Sequence, residues 1–214
     1  MLSIELDPIE HFLEQSLKDI DAEFLKIEAE WDETQAQTAD DFANLMYHPS
    51  MREEITLRAI YYELNALIER NLQEFAQEAY WKSQKYPCSI KSIWDIKEKN
   101  DIRKLKLISD LKIDEIRQLL EGYCNISLNE MNHFGIIVKI REIANSFKHR
   151  NGFKDFRRDL KAGLRVNISD KHELTREDAR VAIVATRKFL LDIFHNLART
   201  KSQQEFLEDN DNGD

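Results

Sequence analysis

A chain with few places to turn must run in long straight elements, and this one holds only five glycines and three prolines in 214 residues. Average usage would supply roughly three times as many. A β-sandwich or barrel needs a turn signal about every 8 to 12 residues, and a doubly wound α/β fold needs glycine-rich strand-to-helix loops. Neither pattern is present, so the elements are few, long and helical. The length predicts one domain, at roughly 150 residues per domain. We read it as a single all-α domain over residues 1–200 and an acidic tail at 201–214.

Periodicity and caps place the helices. Asp7-Pro8 reads as an N-cap followed by proline at the first helical position. Leu13, Leu17, Ile20, Phe24, Ile27 and Trp31 then recur every three or four residues, predicting a helix near 8–33. Thr38 with Asp41 caps a short helix ending before His48-Pro49. Ser50 with Glu53 opens a second long helix near 50–82, with Leu57, Ile60, Leu64, Leu67, Ile68, Leu72 and Phe75 inward. Tyr86-Pro87 breaks it. Residues 87–127 are fragmented, with a short helix ending near Gly122. A third long helix spans 128–150 and stops at Asn151-Gly152. A basic connection over 153–174 leads to the Thr175/Asp178 capping box of the last helix, near 175–200, with Val181, Ile183, Phe189, Leu190, Ile193, Phe194 and Leu197 inward. The fold predicted is a bundle of four long helices plus short ones.

No run approaches 18 apolar residues, and the first fifteen residues carry acids where a signal peptide would carry bases. The expectation is a cytoplasmic protein with no membrane segment. Cys88 and Cys124 form no C-x-x-C pair and read as buried thiols. Charge is unevenly spread: residues 1–80 balance to −14, residues 81–204 to +10 and residues 205–214 to −5. Such asymmetry implies either a polyanionic partner for the basic part or an acidic part that covers it.

Phosphate-loop, dinucleotide, zinc-protease and hydrolase motifs are all absent, and no cofactor is expected. Glu130-x-x-His133 and Asp192-x-x-His195 have the spacing of a carboxylate-bridged metal site. Counted at about 100° per residue, however, Asp192 and His195 fall on the polar side of their helix, so no metal is expected.

The end of the third helix is the most informative stretch. Ile136, Ile137, Ile140, Ile143, Ala144 and Phe147 share one core face. Arg141, Asn145 and His149 form an i, i+4, i+8 row on the opposite flank, beside Phe134 and Val138. Residues 148–165 then hold seven bases against two acids. Bases and a histidine at a helix C-terminus also complement its dipole, which needs no function. That leaves the mid-helix Asn145 and the run of bases unexplained, and a basic segment beside a histidine in an acidic protein is a footprint for phosphate.

Two long N-terminal helices, a penultimate helix ending in polar-x3-His, a basic connection and a capped last helix together resemble the HEPN superfamily. The resemblance implies a dimeric, metal-independent ribonuclease or nucleotide-binding module of prokaryotic antiviral defence or toxin–antitoxin systems. That family's motif is Arg, then Asn, Asp or His, with His four to six residues after the Arg. Asn145 and His149 match it as A-N-S-F-K-H, while the family's Arg position holds Ala144. The implied roles are His149 as acid/base, Arg141 or Arg150 as the clamp on the reacting phosphate, and Asn145 orienting either one. Lys148, Arg150, Lys154, Arg157 and Arg158 would hold flanking phosphates of RNA. Phe134 and Val138 would form the homodimer interface. The competing expectation is a catalytically inactive, dimeric binding or scaffold module that pairs with itself or with a partner protein.

Overall fold

The computed structural model describes residues 2–31, 39–83, 113–125, 127–150, 152, 154 and 171–211. Its helices are α1 (Leu2–Glu30), α2 (Ala39–Ser83), α3 (Ile113–Cys124), α4 (Phe134–Arg150) and α5 (Arg176–Asp211), with a 3₁₀ turn at Leu128–Glu130 between α3 and α4. Among the described residues there is no strand. The architecture is an all-α bundle.

Several predicted boundaries move, each for a physical reason. Pro8 lies inside α1 and does not open it. A proline forfeits one backbone bond, and the full burial of Leu6 two residues earlier helps hold this end in place. Pro49 likewise lies inside α2, so the short helix and the second long helix are one. Ser50 is no cap: its hydroxyl donates to the Met46 carbonyl at 2.8 Å, a bond four residues back that a helix interior permits. The third helix starts at Phe134 instead of Leu128, because His133 takes a left-handed φ of 68° that no α-helix continues through. The Thr175 cap is as expected, with the Asp178 N–H donating to its hydroxyl at 3.0 Å and the hydroxyl donating to the Asp178 carboxylate at 2.8 Å. Thr38, Cys88 and the 155–170 part of the basic connection lie outside the described residues.

Two compact units share the helices: Met1–Asn65 with Ile136–Arg187, and Ala66–Gly135 with Lys188–Asp214. In the first, charge orders the packing. Arg176 grips Glu53 of α2 through two bonds of 2.8 and 2.6 Å and Asp21 of α1 at 2.7 Å. Arg180 holds Glu14 through two bonds of 2.7 and 3.0 Å, and Arg187 reaches Asp7 at 3.0 Å and Glu10 at 2.8 Å. Partners falling from 21 to 7 as α5 advances make α1 and α5 antiparallel. The Trp31–Phe42 ring contact and the Glu23–Arg52 ion pair make α1 and α2 antiparallel as well. Lys139 pairs with Asp178, and the His172 N–H donates to the Gly152 carbonyl, so α4 runs back along α5. Arg58 of α2 lies 4.7 Å from the centroid of the Phe147 ring of α4. The four segments therefore neighbour one another in the order α1, α2, α4, α5 around Leu13, Leu17, Ile20, Leu57, Ile60, Leu64, Ile140, Ile143 and Ile183, all buried. Part of the acidic N-terminal region is thus spent on the arginines of α5.

The second unit buries Leu67, Ile68, Leu72 and Phe75 of α2 with Ile116 and Leu120 of α3, Leu128, and Phe189, Leu190, Ile193 and Leu197 of α5. Asn71 is buried there, its amide donating to the Leu67 carbonyl at 2.9 Å. The Glu121 carboxylate accepts the Leu128 N–H at 2.9 Å and fixes the 3₁₀ turn. Cys124 is a buried free thiol, as expected of it, and burial pushes its pKa up against the opposing pull of Thr200 and Arg199. Val181 in the first unit and Phe194 in the second, both expected inward, are exposed. The inner face of α5 uses Ala179, Ala182 and Ala185 instead, residues whose small side chains carry little hydrophobic signal.

Two glycines predict opposite results. Gly152 has φ +85°, its N–H donates to the Ser146 carbonyl at 3.0 Å, and a Cβ there would meet Phe147 Cε1 at 2.5 Å. Gly152→Ala is expected to lower stability by about 2–4 kcal/mol, combining left-handed strain with overpacking. Gly122 is exposed near the end of α3, and a Cβ there meets nothing within 4 Å. Gly122→Ala should raise stability by about 0.5–1 kcal/mol. Urea denaturation of the two variants checks both signs.

Candidate functional site

The exposed flank of α4 carries the predicted row. Arg141 and His149 are exposed and Asn145 is half-buried, on the side opposite the buried Ile137, Ile140, Ile143 and Ala144. Rotation at about 100° per residue puts the three on one flank, spaced roughly 6 Å per step along the axis. Among the described residues no hydrogen bond or ion pair joins them to one another. Lys148 and Lys154 are exposed and Arg150 is half-buried; Arg157 and Arg158 lie outside the described residues. Of the two apolar residues assigned to an interface, Val138 is 47 % exposed. Phe134 is half-buried, its ring centroid 6.2 Å from that of Phe189, so its partner lies within the chain. Ala144, the position that holds Arg in the resembled motif, is only 4 % exposed.

A second histidine sits beside this end of α4, and sequence reading passed over it as part of the basic connection. The backbone of His172 is tied to Gly152, its ring is half-buried, and its Nε2 is enclosed with no hydrogen-bond partner among the described residues. Burial holds its pKa below the ordinary histidine value; Glu142 opposes that, while Lys154, Arg150 and Lys139 reinforce it. Its place just ahead of the Thr175 cap was the available signal. The buried Ser146, whose hydroxyl donates to the Ile143 carbonyl at 2.7 Å, fills its bond within the helix and faces away from the row.

The second unit has a polar groove of about 450 Å³ lined by Glu130, Met131, Asn132, Asp192, His195, Asn196 and Arg199. Asn196 accepts from Arg199 at 2.8 Å and donates to the Asp192 carbonyl at 2.8 Å. Three of the four residues with metal-site spacing therefore line one groove, and His133 does not. Among the described residues, no group of three or more His, Cys, Asp or Glu is placed to hold a metal ion. No described helix is long and apolar enough to cross a membrane.

No protein-family model, curated protein or solved structure matches the chain.

Proposed function

We propose that this is a HEPN-like protein that cleaves RNA without a metal, at the Arg141–Asn145–His149 flank of α4. The carrying observation is that this row lies outward, on a flank the core does not use, beside the exposed Lys148 and Lys154. In metal-free cleavage the ribose 2′-hydroxyl attacks the adjacent phosphorus and the 5′-oxygen leaves, giving a 2′,3′-cyclic phosphate. The protein must move protons and stabilise charge on the phosphorus oxygens. His149 supplies acid/base exchange, Arg141 the two-pronged donor for the oxygens, and Asn145 the hydrogen bond that orients them. Lys148, Arg150 and Lys154 hold neighbouring phosphates, and a dimer would supply a second Arg141 to the same cleft. Purified protein should cleave single-stranded RNA in EDTA and leave cyclic phosphate ends. Cleavage that requires a divalent ion would overturn the mechanism.

The second reading is an inactive dimeric module in the same setting of antiviral defence or toxin–antitoxin partnership. The burial of Ala144 favours it, because the one position that would complete the motif points into the core.

A further inference from the structure

The groove of the second unit, at about 450 Å³, falls within the size range of small-molecule sites and takes no part in the cleavage chemistry above. One wall is α5. Asp192, His195, Asn196 and Arg199 follow at i, i+3, i+4 and i+7, so they share one stripe of the helix, on the side away from the buried Leu190, Ile193 and Leu197. The other wall is Glu130, Met131 and Asn132, and its backbone is tied at several points. The Glu130 and Met131 N–H groups donate to the Ser127 and Leu128 carbonyls, that of Phe134 donates to the Met131 carbonyl, and the Glu121 carboxylate holds Leu128. The wall is thus set before a ligand arrives, which lowers the cost of binding one.

Arg199 is the unusual member of the groove. The three earlier arginines of α5 each grip an acid: Arg176 holds Glu53, Arg180 holds Glu14 and Arg187 holds Glu10. Arg199 has two acids lining the same groove, Glu130 and Asp192, yet among the described residues no ion pair joins it to either. It donates instead to the neutral Asn196 side chain at 2.8 Å, and the Asn196 amide is anchored on the Asp192 carbonyl. The guanidinium is therefore held in place with N–H groups to spare. Both signs of charge are left available to a ligand. A polyanion would meet two carboxylates, and a polyamine would meet a guanidinium, whereas a molecule that carries both charges finds a partner for each. Its length follows from α5. Asp192 and Arg199 lie seven positions apart, about 10 Å along the axis, and an extended tripeptide spans about 10 Å from ammonium to carboxylate.

We infer that this groove binds a short zwitterionic peptide, its carboxylate on Arg199 and its ammonium on Asp192. Asn132 offers an amide donor and acceptor to the peptide bonds, and Met131 a half-buried apolar surface to a side chain. Glu130 adds a second carboxylate that turns away ligands with more negative charge. This site stands apart from both the cleavage and the dimer readings.

The test is isothermal titration calorimetry on the full chain without RNA, with trialanine as the probe. Trialanine is expected to bind with a dissociation constant of about 0.1–1 mM. Removing one charge should weaken it about tenfold or more, whether on the ligand, as N-acetyl-trialanine or trialanine amide, or on the protein, as Asp192→Asn or Arg199→Gln. The capped peptides are titrated into the wild type, so that arm does not depend on how the variants fold; circular dichroism controls the variants. No saturable heat from trialanine up to about 10 mM overturns the inference. Equal affinity for trialanine and its capped forms also overturns it, since the charges would then have no role. So does undiminished binding in both variants, which would place the peptide elsewhere. Diphosphate that binds more tightly than trialanine and loses that affinity in Arg199→Gln would give the groove a singly signed ligand and sink the assignment, as would spermidine that does the same in Asp192→Asn. The RNA cleavage assay is scored separately, and its failure leaves this result untouched.

Discussion

Ala144→Arg should cost the fold about 3–5 kcal/mol and confer no gain in RNA cleavage. The substitution writes the full Arg-Asn-x3-His pattern into the sequence, so a reading by motif alone expects it to repair an incomplete site. The packing says otherwise. Ala144 is 4 % exposed and shares its face with Ile137, Ile140 and Ile143, which are 6 %, 0 % and 2 % exposed. A guanidinium there would be a buried charge without a partner in a core that has no room for its length. Thermal unfolding followed by circular dichroism measures the loss. If Ala144→Arg melts with the wild type and cleaves RNA faster, α4 is rotated from the position described, and the assignment of its outer flank falls with it.

The helices were largely legible in the sequence because their signals are physical and local. The Thr175/Asp178 box and the Gly152 stop depend on a few neighbouring groups, and the Leu57, Ile60, Leu64 and Leu67 positions follow a period that only a helix satisfies. Pro8 and Pro49 misled because a proline's local cost is a few kcal/mol, which the burial of neighbours such as Leu6 can exceed once the tertiary structure forms. The inner face of α5 was half-hidden because alanines pack closely without standing out from the pattern. Outward faces are harder still. Tyr47, Met51, Ile55 and Tyr62 of α2 have helical spacing, but apolar residues on a second face read as part of the core until exposure separates the two. His172 could not be placed at all by periodicity, since what brings it to the end of α4 is a backbone bond to Gly152, twenty residues earlier. The polar row on α4 was legible because its residues share a helix with the core face that defines inward.

His149→Ala is expected to reduce EDTA-resistant RNA cleavage by at least about a hundredfold while leaving the fold intact. The side chain is exposed in the last turn of α4 and its loss opens no cavity. The cost to stability is confined to an interaction with the helix dipole of about 0.3–1 kcal/mol. A large fall in rate with a nearly unchanged melting temperature is therefore the signature of chemistry, and a parallel fall in both would mean a structural role. His172→Ala is the necessary companion, because a second imidazole lies beside the same basic helix end, its Nε2 without a partner among the described residues. Cleavage lost in His149→Ala alone assigns the acid/base to the outer row. Cleavage lost in His172→Ala alone moves the reaction to the junction of α4 with the segment before α5, where the charges of Glu142, Lys154, Arg150 and Lys139 act on the ring. A rate untouched by either change removes both histidines from the reaction. Arg141, Asn145 and His149 would then be a polar surface suited to binding, as the buried Ala144 already favours.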